Sequence, residues 1–384
     1  MQTIIQKAKA KLRIGAYKEA LEFCQKGLES EPDNLELLDM AAYSANAVSD
    51  FVLSIDFLNR AIQVSPMNAD FHFRKGYVYL YQLRDLDEAV RCFMSAQEID
   101  TNHRNSVYYL GMAYKFKEEY CTAEIYFNRI LNDFVESEMT ADAYIELAYV
   151  CLHKEKFHQA FEFLHKAEEI YPELPDIYIA RGILYKVKYK NYKRAVAELK
   201  KALKLSKMKP ETYFQLAECH KLMNKYVPAL KFINKAITLS PRNPHYYILR
   251  AVCNMNLCFE IEALCDLTFV INSGRGPDFV YAMRCEIFLE MNETVKALDD
   301  ANKAVSLDEN DYSFYELRGK VHTTMKNYVD AVRDYEKAIE LRKSQNETDG
   351  LKEVQEYLKE CRMNINSNEN NLILILSQKP VSLN

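Results

Sequence analysis

The sequence has no tryptophan, only nine glycines and ten prolines, and no apolar run of the length a bilayer span requires. So few helix breakers suit a helical chain. Lysine and arginine number 50 against 55 acids, and the resulting net charge of −5 offers no electrostatic footprint for nucleic acid. The ten cysteines are scattered without paired spacing, which excludes the disulfide framework of a small secreted scaffold. A reducing, cytoplasmic setting is therefore expected. Cys253, Cys258, Cys265 and Cys285, and separately His153, His158 and His165, lie close in sequence but never as CxxC or HExxH. Four convergent zinc ligands are not expected from them, and no metal or cofactor is. The turn at 272–277 (NSGRGP) is too short for a phosphate loop and lacks its Lys-Ser/Thr ending. No Ser–His–Asp or paired-carboxylate arrangement can be argued either, so no enzyme activity is expected. The first residues, MQTIIQKAKAKLRIGAYK, lack the apolar core of a secretory signal. They carry Lys7, Lys9, Lys11, Arg13 and Lys18 with no acid before Glu19, superficially like a transit peptide, but their spacing reads as an ordinary first helix.

What is present is one stretch, repeated. Residues 312–341 read YSFYELRGKVHTTMKNYVDAVRDYEKAIEL. Phe314, Tyr315, Leu317, Val321 and Met325 recur at helical spacing, Lys326-Asn327 make a polar turn, and Ala331, Val332, Tyr335, Ala338 and Ile339 share a second helical face. Gly319 and Ala331 are small enough to let the two backbones approach. The same hairpin recurs along the chain. Ala20, Gly27 and Pro32 have counterparts in Ser54, Ala61 and Pro66, and Ala229, Ala263, Ala297 and Ala331 follow at a 34-residue step. An aromatic ring opens most first helices (Tyr144, Tyr178, Tyr213, Tyr247, Tyr281, Tyr315), with Ala148, Gly182, Ala217, Ala251 and Gly319 four places later.

A 34-residue period with these marks resembles the tetratricopeptide repeat over nearly the whole chain. The resemblance implies an all-α, right-handed superhelical α-solenoid of about ten helix-turn-helix repeats with a C-terminal capping helix. Repeats are expected over 1–343, interrupted near 131–140 and 272–277, with one extra residue at Leu83–Leu86 in repeat three and another near Lys188–Lys190 in repeat six. A capping helix is expected over 344–364 and a tail over 365–384. The run Leu372–Leu376 has the pattern of a buried or sticky strand. It would dock on the last helices, stay loose, occupy the protein's own groove, or reach a neighbouring molecule.

Two constellations stand out. Arg250, Arg284 and Arg318 take a place usually held by leucine, and Asp266, Asp300 and Asp334 follow sixteen residues later in each case. The spacing predicts bridges between packed helices, because a buried cation needs a partner and an Arg fork matches a carboxylate. Arg181 and Glu198 echo the pattern one residue further apart. The second constellation rests on the resemblance, since the family's concave face selects one stripe of each first helix. That stripe holds Tyr43, Phe73, Tyr77, Tyr81, Tyr108, Met112, Phe116 and Tyr149. These rings either line a groove for a peptide or helix, or pack on neighbouring first helices and stiffen the stack. The carboxylate clamp by which some members hold chaperone tails needs Lys and Asn positions that no three consecutive repeats supply. The expectation is a protein-binding scaffold or adaptor, with neither nucleic acid nor membrane as partner. The main alternative is a self-associating or structural part of a larger assembly using the convex face and tail. A weaker one is a regulator whose groove holds a nucleotide or peptide signal.

Overall fold

The computed structural model describes residues 2–133, 137–274 and 276–377, with side chains described as far as residue 366. Regular structure among them is helical throughout, and it falls into two compact units, 1–205 and 206–384. The first unit holds α1 (Gln2–Arg13), α2 (Tyr17–Ser30), α3 (Leu35–Ala47), α4 (Phe51–Val64), α5 (Ala69–Val78) and α6 (Leu86–Ile99). It continues with α7 (Arg104–Phe116), α8 (Tyr120–Asp133), α9 (Glu138–His153), α10 (Phe157–Ile170), α11 (Pro175–Val187) and α12 (Tyr192–Leu205). The second unit begins with α13 (Pro210–Leu222), α14 (Tyr226–Leu239), α15 (Pro244–Met255), α16 (Glu260–Asn272) and α17 (Asp278–Glu290). It ends with α18 (Thr294–Leu307), α19 (Tyr312–Thr324), α20 (Tyr328–Ser344) and α21 (Leu351–Ser377). Odd and even helices pair in sequence as hairpins, from α1 with α2 to α19 with α20.

The hairpins close for two local reasons. Small residues occupy the crossing of the paired helices. Gly111 lies so near Phe127 that an added Cβ would come within 2.6 Å of its ring, and Gly319 meets Tyr335 in the same way at 2.7 Å. Both rings are fully buried. All the hairpin turns but those of repeats three and six also end the first helix in the same hydrogen-bonded form. In the second repeat Ser49 N–H donates to Asn46 O at 3.0 Å, and Asp50 N–H donates to Ala45 O at 2.9 Å. These satisfy carbonyls that the helix end leaves free, and they place Ser49 at a left-handed φ of 68°. Glu118, Glu155, Asn224, Cys258, Asn292 and Lys326 take the same conformation. Asn34, Asp50, Asn68, Asn243 and Asp311 cap following helices by accepting a backbone N–H.

Both one-residue insertions enlarge this closing turn. The insertion of repeat three, expected in the turn at Leu83–Leu86, is taken up earlier, in a π-helical turn at Tyr79–Leu83 that continues α5. Asp85 N–H accordingly reaches back six residues to Tyr79 O, and in repeat six Asn191 N–H reaches Tyr185 O, where the other turns reach back five. The basic N-terminal segment forms α1, which packs on α2 and buries Ala8. At the other end, α21 starts at Leu351 and runs to Ser377, through the stretch expected to be a tail. The backbone of Leu372–Leu376 is thus helical and not extended. Leucine is a strong helix former, and no Gly or Pro interrupts residues 351–377. Residues 378–384, and the side chains that would decide what the apolar run touches, lie outside the described residues.

The core runs lengthwise in clusters that each join only a few consecutive helices. Leu37, Phe57 and Phe71 belong to one; Leu80, Phe93 and Phe127 to the next; Ile145, Leu164 and Ile177 to a third. In the second unit Ile233 with Tyr246, Leu267 with Ile287, and Tyr335 with Val354 continue the pattern. Each fully buried large apolar side chain stabilises its cluster by about 1.5–3 kcal/mol.

Candidate functional site

In the first unit the first helices of repeats two, three and four leave a cavity of about 430 Å³ between them. Asp39, Tyr43 and Asn46 come from α3, Phe73, Arg74 and Tyr77 from α5, and Asn105 and Tyr109 from α7. Ser54 and Leu58 of α4 close its base. Positions four residues apart on α3 and again on α5 share a helix face, which brings Tyr43 and Tyr77 to one opening. Tyr43 is 54% exposed and meets Tyr17 edge-on at 6.0 Å. Tyr77 lies 5.5 Å from Tyr109, and Phe73 lies 5.4 Å from it. Arg74 and Asp39 pair across the rim. Asn46 Oδ1 is buried at the cavity and accepts no hydrogen bond from the protein.

The stripe therefore divides. Tyr43, Phe73 and Tyr77 line the cavity, whereas Tyr81, Tyr108, Met112, Phe116 and Tyr149 do not. Tyr81 packs between Tyr77 at 4.8 Å and Phe116 at 6.1 Å, and burial raises its hydroxyl pKa above the ordinary range. Burial raises that of Tyr108 as well, its ring lying 5.8 Å from buried Phe127. Met112 is only 8% exposed and belongs to the core with Leu110 and Leu147. Phe116 and Tyr149 both lie beneath the Lys115 ammonium. The N-terminal rings of the stripe thus face a cavity, and the following ones pack against neighbouring side chains. Tyr109, absent from the predicted stripe, supplies the cavity wall where Tyr108 was expected. Its ring packs on Phe73 and Tyr77, both of which precede the π-helical turn, and no motif in the sequence marks it.

The second unit carries the arginine–aspartate pairs. Arg250 Nε and Nη2 donate to both oxygens of Asp266 at 2.8 and 2.6 Å, and Arg284 does the same to Asp300 at 2.7 and 2.8 Å. Arg318 meets Asp334 at 2.9 and 2.7 Å. Each arginine also donates Nη1 to a residue sixteen places earlier: Asn234 at 2.9 Å, Thr268 at 3.2 Å and Asn302 at 3.2 Å. The fork thus joins three helices, the two of its own repeat and the one before. The aspartate hydrogen bonds raise the pKa of Arg284 and Arg318, so both stay charged. Arg181 binds Glu168 of the preceding hairpin at 2.6 Å and lies 3.6 Å from Glu198, the partner its spacing suggested. Among the described residues no cluster of His, Cys, Asp and Glu could hold a metal ion, and no helix is long and apolar enough to cross a membrane.

Consecutive helical hairpins with small residues at their crossings and a 34-residue step define an all-α repeat protein of the solenoid class. The tetratricopeptide-repeat profile matches residues 69–103, 210–243 and 312–345. The chain is a tetratricopeptide-repeat protein. A search of curated proteins finds no match. Among solved structures, a monomeric mutant of IFIT1 with Gppp-AAAA is similar at a TM-score of 0.57 and 13% identity, over 87% of this chain and 89% of that one. The Cut9–Hcn1 hetero-tetramer of the APC/C aligns at 0.48 and 12%, over 93% and 89%. A tetratricopeptide repeat protein from Parabacteroides merdae aligns at 0.45 and 20%, over 67% and 99%. At these identities the likeness is one of fold.

Proposed function

We propose that the chain is a binding scaffold whose first unit holds a peptide or helical segment of a partner protein, with no catalytic step. The reading is carried by the cavity between α3, α5 and α7, open at an exposed tyrosine and walled by four aromatic rings. A preformed concave site spares the ordering cost on one side of the complex. Its few polar groups, the Asp39–Arg74 pair and the unpartnered Asn46 oxygen, would orient what enters. The test is selection of a displayed peptide library on the full chain, repeated on a Tyr43→Ala/Tyr77→Ala variant. Peptides enriched by the wild type and lost by a variant of unchanged melting temperature support the groove. Equal enrichment by both proteins removes it.

One observation favours a second reading, in which the chain is a part of a larger assembly. Val227, Ile261, Val295 and Val329 stand at one position of successive second helices, between 55% and 68% exposed. Solvated faces normally carry charge at such sites, and a regular apolar row suits contact with another subunit. Light scattering across a concentration series, with Ile261→Glu/Val295→Glu as control, tests whether the row joins copies of this chain. A concentration-independent monomer would argue against self-association.

A further inference from the structure

The net charge of −5 is an average that hides one strongly basic face. Residues 186–204 contain eight lysines and arginines and a single acid, Glu198, which is paired with Lys201 at 2.9 Å and Arg181 at 3.6 Å. Helix α12 buries Ala195, Leu199 and Ala202, and so turns Lys193, Lys200 and Lys204 to solvent on its opposite side. These three ammonium groups span about 16 Å of helix at ~1.5 Å per residue. Beside them, the extra residue of repeat six enlarges the α11–α12 turn and leaves Lys188, Tyr189 and Lys190 exposed.

That turn is also where aromatic surface gathers. Two clefts, each of about 530 Å³, meet at His158 and Tyr189 between α10 and the ends of α11 and α12. Tyr189, 56% exposed, lies 6.0 Å from Tyr185 and 6.2 Å from Phe161. The Arg194 guanidinium sits over the Tyr185 ring at 5.8 Å, and Lys188 over Phe157 at 4.4 Å. Two acids line the clefts: Glu162, 3.3 Å from His158, and Glu155.

We propose that this face binds single-stranded nucleic acid, with phosphates along Lys193, Lys200 and Lys204 and bases against Tyr189 and Tyr185. Cations along a helix attract any polyanion, but the carboxylates of an acidic peptide do not stack on exposed rings. Single-stranded nucleic acid uses both, the charges for its backbone and the rings for stacking, in a way that tolerates any base. Interleaved aromatic and basic residues (YKVKYKNYKR, 185–194) supply both from one turn.

Fluorescence anisotropy of the full chain tests it, using labelled oligo-dT and oligo-U of about twelve nucleotides and an oligo-glutamate peptide as competitor. Salt is varied from about 50 to 200 mM. Binding is expected at low salt. Its log–log salt slope should become shallower by about two in Lys193→Ala/Lys200→Ala/Lys204→Ala, from ~0.7 per lost phosphate contact. Tyr189→Ala, an exposed position, should weaken binding by roughly 5- to 150-fold. The Tyr43→Ala/Tyr77→Ala variant should bind oligonucleotide as wild type does, so this reading and the peptide groove stand or fall separately. Absence of binding at the lowest salt overturns the proposal. So does competition by oligo-glutamate as effective as by unlabelled oligonucleotide, with Tyr189→Ala indifferent; the face would then be one for acidic peptides.

Discussion

Asp300 is the residue whose removal best separates an ion pair from the charge it leaves behind. Its carboxylate is 6% exposed and accepts both prongs of Arg284, whose side chain is 18% exposed. Asp300→Ala strands the guanidinium in a site with Thr268 as its remaining partner. Removal of one member of a buried pair costs about 3–5 kcal/mol, and the partial exposure of Arg284 should bring the loss to the lower end. Arg284→Leu/Asp300→Leu is a different experiment, because leucine is the residue this position usually holds in the family. Apolar replacement of both members of a buried pair is often neutral or stabilising. Chemical denaturation should therefore rank the double variant above Asp300→Ala. If the double variant were the less stable of the two, the fork would be contributing through its third contact, the one to the preceding hairpin. The aspartate partners were legible in the sequence from spacing alone. The Asn234, Thr268 and Asn302 contacts lie at the same sixteen-residue interval on the other side of each arginine, yet neutral acceptors carry no charge that would mark them in a sequence.

At the scale of an element, the hairpin turn is the part most open to improvement. Every turn of this kind needs one residue at positive φ, and most here are not glycine. Glu118 holds φ at 62° and is exposed. A non-glycine residue in this conformation is disfavoured by roughly 1–2 kcal/mol, while glycine adds entropy to the unfolded chain worth about 0.5–1 kcal/mol. Glu118→Gly should therefore stabilise the first unit by up to about 1 kcal/mol, read as a rise in the denaturation midpoint at unchanged slope. Gly111→Ala should act in the opposite direction. Alanine is the better helix former by about 1 kcal/mol, but its methyl would press into the Phe127 ring at 2.6 Å, and overpacking of this kind costs about 1–3 kcal/mol. A stabilised Gly111→Ala variant would mean that Phe127 can move aside. The two substitutions show what a hairpin reveals in its sequence. The small residue at the crossing is conspicuous at its fixed place, whereas the left-handed residue is nearly invisible when glutamate, cysteine, serine or lysine occupies it.

For the whole molecule, the same locality explains what could be read and what could not. The 34-residue step carries the fold, because each repeat answers mainly to its neighbours and its marks reappear in every turn of the chain. Of the candidate sites, the cavity is lined by no residue of the π-helical turn at Tyr79–Leu83, and the second, the basic face, adjoins the enlarged turn at Tyr189 where that regularity is modified. A net charge summed over 384 residues could not register the second, and a stripe projected by period could not tell Tyr108 from Tyr109. Locality also makes a prediction about the C-terminal helix. Val354, Leu358 and Cys361 of α21 are buried against a cluster that includes Phe314, Tyr335 and Leu341. Arg342 reaches the carbonyl of Asp349 just before it and pairs with Glu316. A chain ending at Gly350 would open this cluster to water, and the ring of Tyr335 would lose its partner Tyr357 at 5.9 Å. Hydrogen exchange followed by mass spectrometry should then show lost protection in α19 and α20, fading over the next hairpin or two. Protection in α3 to α8 should be unchanged, because those helices belong to the other compact unit. Uniform loss along the chain would mean that the repeats unfold as one cooperative block. Unchanged protection in α20 would mean that α21 covers a surface already stable without it.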